Sequence, residues 1–203
     1  MHWISLGDGP GEGACYNIFT MDFGHVFSVL FKEFDRQSIR YALMGGVALG
    51  ALGVPRATMD VDILIHRDDL VRLHDIMIGR GYERRYADDN VSHYAHCEPR
   101  WGRVDFIHAL RAHSLAALGR VILQPVMNGS RMVPVLTPED VIGFKIQSIA
   151  NDSTREAQDY ADIEALVRHH RASLDWSRVE EYYDLFGRDA EFRVLEERFR
   201  HAQ

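Results

Sequence analysis

The sequence predicts an α/β (α+β) fold, with strands gathered around one motif in the front half and helices alone in the back half. Three observations carry this. The stretch from Tyr41 to His66, YALMGGVALGALGVPRATMDVDILIH, passes from a short apolar run through a glycine pair and a small apolar segment into an alternating run. Further short alternating runs follow at close intervals up to Leu136. From Thr137 onward the apolar residues recur at helical spacing, and capping signals open each segment. Runs of strands followed by runs of helices define this class.

Taken in order, residues 1–20 form a detached extension whose GDGPGEG segment is turn- and linker-like. Its glycine spacing does not match a dinucleotide-binding turn, and Met21 is a natural starting point for the folded part. Phe23, Val26, Phe27, Leu30, Phe31 and Phe34 then place a helix over 22–35, with its Phe-rich face on the sheet. Residues 39–44 give the first strand and 47–52 a short helix. Val61, Ile63 and Ile65 alternate with Asp60, Asp62 and Leu64, which is a strand. A helix opens at Arg67-Asp68-Asp69, with Val71, Leu73, Ile76 and Met77 inward, and ends at Gly79-Arg80-Gly81. Strands follow at 82–86, 91–97 and 102–109, the first two joined by a turn at Asp88-Asp89-Asn90. Residues 121–127 and 131–136 read as a hairpin around Asn128-Gly129. Thr137-Pro138-Glu139-Asp140 is a helix start, with a Thr cap and proline in the first turn. That helix runs to about Asn151. Ser153 to Glu156 matches a capping box for a helix ending near His170. Asp175 or Ser177 caps a further helix carrying Trp176, Val179, Tyr182, Tyr183 and Phe186, and a last short helix ends the chain. The expected organisation is an extension at 1–20, an α/β core at 21–136 and a helical part at 137–203 packed on it.

Chemistry concentrates in the central stretch. Gly45 and Gly46 permit close backbone approach to an anion, and a helix start after them offers unpaired N–H groups. Asp60 and Asp62, two apart on a strand, put two carboxylates side by side. Such a pair is tolerable on a half-buried strand chiefly with a cation between them. Asp105 lies within the otherwise apolar Val104-Asp105-Phe106-Ile107, where a charge is costly unless paired or metal-bound. Arg103, flanking it, is expected to face the other way. Lys145 is a lone cation on an apolar helix, either snorkelling at the surface or paired.

Gly45, Gly46, Ala48, Leu49, Gly53, Arg56, Thr58, Asp60 and Asp62 together resemble the nucleotidyltransferase (polymerase-β-like) superfamily, and within it the AbiEii/MenT-like branch of toxin nucleotidyltransferases. The resemblance covers roughly residues 41–167. It implies a mixed β-sheet flanked by helices with a helical C-terminal part. It implies Mg2+ or Mn2+ held by Asp60, Asp62 and Asp105, with Asp105 also placed to help deprotonate an acceptor hydroxyl. It further implies an NTP substrate bound through Gly45, Gly46, Arg56, Thr58, Lys145 and Asp159, with Lys145 at the triphosphate. Two positions depart from the pattern. Gln158 stands where the branch has lysine, and Val47 where many relatives carry Ser or Thr.

The activity so implied is transfer of a nucleoside monophosphate from an NTP to a hydroxyl of tRNA or protein, in a toxin–antitoxin setting with an antitoxin partner. An antibiotic nucleotidyltransferase of the lincosamide or aminoglycoside kind shares the same core, and a non-catalytic nucleotide binder is the third reading. A net charge of −7 argues against non-specific nucleic-acid binding by the whole surface. Arg84, Arg85, Arg100 and Arg103, interleaved with Tyr82, Tyr86, Tyr94 and Trp101, are expected to supply any local RNA-binding surface. His93 and His96 fall on opposite faces of a strand and make a poor metal pair. Cys15 and Cys97 form no metal-binding or disulfide pattern, which fits a reducing cytoplasm, and no apolar run reaches membrane-spanning length.

Overall fold

The computed structural model describes residues 21–126, 129 and 131–200. The expected extension at 1–20, with Cys15, and Asn128 of the expected hairpin turn lie outside the described residues. Seven strands form one mixed sheet in the order β3-β4-β5-β2-β1-β7-β6. The strands are β1 (Tyr41–Met44), β2 (Asp60–His66), β3 (Tyr82–Ala87), β4 (Val91–His96), β5 (Arg103–Ala109), β6 (Ile122–Val126) and β7 (Arg131–Val135). β1 runs antiparallel to β2, β2 parallel to β5, and β1 parallel to β7. The strands carrying the three aspartates are therefore neighbours at the centre of the sheet.

The helices are α1 (Phe23–Arg36), α2 (Gly45–Ala51), α3 (Leu70–Gly79), α4 (Ala112–Leu118), α5 (Pro138–Asn151), α6 (Glu156–His170), α7 (Trp176–Leu185) and α8 (Asp189–Phe199). Asp22 caps α1 by accepting from the His25 N–H at 2.9 Å. Val26, Phe27, Leu30, Phe31 and Phe34 are all buried. Phe31 and Phe34 pack on Tyr41, and Phe34 meets Phe106 edge-on, so this helix covers one face of the sheet as its Phe spacing predicts. The opposite face carries the aspartates. One hydrophobic cluster runs from Met21 to Phe199 without a break at the strand-to-helix transition near residue 136.

Several expectations change. α2 begins at Gly45 itself rather than after the glycine pair. Val71 is 74% exposed, because helical spacing within α3 puts it on the face opposite the buried Leu73, Ile76 and Met77. The capping box at 153–156 does not form. Asp152 accepts from the Thr154 N–H instead, opening a 3-10 turn that runs into α6. Asp175, not Ser177, caps α7. The two-turn α4 follows β5 where the sequence reading placed no element. At seven residues it is too short to display a helical period, and its burial against β2 and β5 sustains it.

Candidate active site

The glycine pair and the first aspartate strand meet because β1 and β2 are antiparallel, with Met44 opposite Asp62. β1 ends there and α2 starts at Gly45. Gly45 has φ of +63°, and a Cβ on it would overlap the Asp62 carboxylate. Only glycine lets the backbone pass so close to that side chain. Likewise a Cβ on Gly46 would collide with Thr58. Thr58 in turn donates its hydroxyl to Asp60 Oδ1 at 3.0 Å. Gly45, Gly46, Thr58, Asp60 and Asp62 are thus one packed unit.

Asp105 joins them through the parallel pairing of β2 with β5, which places Asp62 directly opposite Asp105. Burial pushes the Asp62 carboxyl up to about 6, and the charges of Asp60 and Asp105 add to the effect. Among the described residues Asp62 has no hydrogen-bonding side-chain partner, whereas the other two carboxylates are engaged. His93, opposite Asp105 on β4, meets Asp105 Oδ1 through Nδ1 at 2.8 Å. Arg103 donates to Asp105 Oδ2 at 2.8 Å and reaches Asp60 Oδ2 at 3.4 Å. Arg103 therefore does not face away from Asp105. Residues two apart on a strand share a face, the same rule that pairs Asp60 with Asp62.

Beside Asp62 opens a cavity of about 530 Å³, whose lining includes Gly45, Asp62, Ile107, Phe144, Lys145, Arg155 and Asp159. That volume lies within the range of small-molecule sites. Lys145 is 6% exposed and does not snorkel. Its ammonium donates to Asp159 at 2.9 Å and to Asp162 at 2.6 Å. Arg155 pairs with Asp159 at 3.2 Å. Arg56, the expected phosphate contact, pairs with Asp162 at 2.5 Å. Burial works to raise the Asp159 carboxyl, but Lys145 and Arg155 outweigh it and hold the group below its usual value. Gln158, at the position where the resembled branch has lysine, donates to Asp162 at 3.3 Å.

Four residues of this constellation were given no role at the nucleotide site by the sequence reading. Asp162 and Arg155 carried a signal, since they stand three residues after and four before Asp159 on one helix face. Arg103 carried one in its strand parity. His93 carried none, because only cross-strand register brings it to Asp105. The supposed stacking residues do not line an open surface: Tyr94 is 2% and Trp101 9% exposed. Tyr94 meets His74, and the Trp101 carbonyl accepts from the Tyr82 hydroxyl.

Three carboxylates, one of them with its pKa raised by desolvation and by the charges of the other two, offer the hard oxygen donors that Mg2+ or Mn2+ takes. Among the described residues, however, no group of three or more His, Cys, Asp or Glu side chains is arranged as a formed metal cluster. The donor chemistry fits a divalent cation, and Arg103 supplies positive charge between two of its members.

A mixed sheet with a glycine turn facing paired strand aspartates, closed by a lysine-bearing helix, defines a nucleotidyltransferase fold. A family model described as "uncharacterised nucleotidyltransferase" matches residues 26–189, and the chain belongs to that family of enzymes. No curated protein matches it. Among solved structures, the chain is similar to the antibiotic-resistance factor ANT(2'')-Ia in its solution structure, with TM-score 0.63 and 18% identity over 90% of this chain and 100% of that one. It is similar to an antigenic nucleotidyltransferase-like protein from Paracoccidioides brasiliensis, with TM-score 0.52 and 20% identity over 87% of this chain and 92% of that one. It is also similar to the lincosamide antibiotic adenylyltransferase LnuA, with TM-score 0.50 and 17% identity over 72% of this chain and 97% of that one. At these identities the likeness is one of fold. No helix among the described residues is long and apolar enough to cross a membrane.

Proposed function

We propose that this enzyme moves a nucleoside monophosphate from an NTP to a hydroxyl of a small acceptor molecule. The observation that carries the reading is the Asp62–Asp105 register beside a cavity that Asp62, Lys145 and Arg155 line together. In it, Asp60, Asp62 and Asp105 hold Mg2+ or Mn2+, which when bound neutralises triphosphate charge and steadies the attacking and leaving oxygens. Gly45 and Gly46 admit the phosphates close to the backbone at the start of α2. Lys145 and Arg155, in the same cavity lining, meet triphosphate oxygens, Asp159 orients both, and Thr58 fixes Asp60. Arg56 acts through Asp162 rather than on a phosphate directly. Asp105 accepts the acceptor's proton, oriented by His93.

Two observations favour a small acceptor. Tyr94 and Trp101, the aromatic faces an RNA end would stack on, are buried. Arg85, Arg100 and Arg103 are each paired with a neighbouring carboxylate. Structures of similar fold include ANT(2'')-Ia in complex with adenylyl-2''-tobramycin and LnuA with lincomycin bound. A hydroxylated antibiotic is the corresponding candidate here. The second reading, a toxin that modifies tRNA or protein and is held by an antitoxin, is favoured by the match of the central motif to the AbiEii/MenT-like branch. A transfer assay with labelled NTPs, offered aminoglycosides, lincosamides, tRNA and purified cell protein, decides between them. Label on a drug supports the first reading, and label on tRNA or protein with none on a drug replaces it with the second. Tight NTP binding with label on nothing leaves a nucleotide sensor.

A further inference from the structure

Arg103 stands where a metal would compete with it. One guanidinium nitrogen serves Oδ2 of both Asp105 and Asp60. The remaining oxygens of that pair are already committed, Asp105 Oδ1 to His93 and Asp60 Oδ1 to Thr58. We propose that Arg103 is a competing internal cation. The oxygens it holds are those that two of the three carboxylates would offer a divalent ion, so Arg103 sets the metal concentration at which the site fills and swings away as it does. This rests on the metal reading above.

The argument is one of charge and mobility. A divalent ion and a guanidinium drawn to the same two carboxylate oxygens repel each other, so metal coordination and the arginine contacts oppose each other. The Arg103 side chain is 59% exposed while that of Asp105 is 10% exposed, so the partner able to leave is the arginine. The guanidinium leaves into solvent, where it is rehydrated, and the entering cation takes over the charge of the carboxylates, so displacement strands no buried charge. His93 does not compete in this way, because it meets Asp105 only at Oδ1 and leaves Oδ2 to Arg103 or a metal. Outward from Arg103 lies a cleft lined by Arg85, Tyr86 and His93, space into which the displaced guanidinium can turn.

The test is a MnCl2 titration followed in two ways, by melting temperature and by loss of the free-Mn2+ paramagnetic resonance signal. It compares wild type with Arg103→Gln, Arg103→Lys and Arg100→Gln. Arg100 pairs with Glu98 on the surface, so its substitution makes the same change in net charge elsewhere. Arg103→Gln is expected to reach half-saturation at roughly five- to tenfold lower Mn2+. Arg103→Lys is expected between it and wild type, since an ammonium does not bridge as a planar guanidinium does. Arg100→Gln should match wild type. Equal half-saturation in Arg103→Gln and wild type overturns the proposal while leaving the metal site standing, and so does an equal fall in Arg100→Gln. No Mn2+-dependent change in any of the four proteins overturns the metal site and the proposal together. The resonance readout is taken below the melting range, so a less stable variant still reports.

Discussion

Asp69 illustrates how a single buried carboxylate is made tolerable. It is fully buried, yet it accepts from the Arg40 backbone N–H at 2.9 Å, from the Arg40 guanidinium at 2.9 and 3.0 Å, and from Arg72. Burial pushes its pKa upward, but these donors outweigh burial and bring it down to about 2. A carboxyl with a depressed folded-state pKa contributes stability that is present above its unfolded value, near 4, and lost as pH falls through about 2. Urea midpoints measured between pH 6 and 2 should therefore fall more steeply below pH 4 in wild type than in Asp69→Asn. At neutral pH that substitution should cost about 2 to 4 kcal/mol through the loss of charge-assisted hydrogen bonds. Asp62 is the opposite case, a carboxylate whose neighbours are like charges. Millimolar Mg2+ or Mn2+ should raise the melting temperature of wild type by mass action on the folded state. Asp62→Ala should abolish that rise, and its persistence in the variant would remove Asp62 from the metal site.

At the scale of elements, the β1–α2 junction is the most constrained. Gly45→Ala meets both a positive φ and the Asp62 carboxylate. It should cost about 1–2 kcal/mol from the left-handed backbone alone. It should also displace Asp62, lowering transfer activity by more than the stability loss explains. Wild-type activity in a folded Gly45→Ala protein would refute the packed unit described for this site. The start of α5 is an independent case. The Thr137 hydroxyl accepts from the Asp140 N–H at 3.3 Å and donates to the Asp140 carboxylate at 3.0 Å, which Arg120 and Tyr182 also hold. Thr137→Ala should cost about 1 kcal/mol, read calorimetrically as a melting-point drop of about 2–4 °C. Activity per folded molecule should be unchanged, since this cap lies outside the constellation around Asp62.

Across the whole molecule, one charge network ties the sheet to the helices. Arg56, in the segment leading into β2, reaches Asp162 of α6. Asp162 and Asp159 hold Lys145 of α5, and Arg155 closes on Asp159. Removing the central cation leaves two buried carboxylates short of their partner. Lys145→Ala should therefore cost about 3 to 5 kcal/mol. Adding Asp162→Asn should return part of that loss, because it removes one of the stranded charges. A double-mutant cycle by chemical denaturation measures this, and strict additivity of the two losses would argue against coupling. Calorimetric titration with a non-hydrolysable NTP on the Lys145→Ala protein, kept below its melting range, separates a nucleotide contact from a purely structural lysine. Unchanged affinity would assign Lys145 to the network alone.

The sequence by itself determined the order of strands and of every helix but α4, the glycine pair, and the shared face of Asp60 and Asp62. These depend on local periodicity, caps and residue type, all of which lie within a few residues of one another. It also singled out Asp105 and Lys145, because a charge in an apolar segment is conspicuous before any fold is known. Only the tertiary structure decided what those charges meet. His93 reaches Asp105 through antiparallel register between β4 and β5, and Arg56 reaches Asp162 across 106 residues of chain. The burial of Tyr94 and Trp101 was likewise hidden, since an aromatic residue on a strand or in the turn beside it reads the same from either side until the sheet's covered face is known. Local rules fix which way neighbouring side chains point relative to one another, and long-range pairing fixes what they point at.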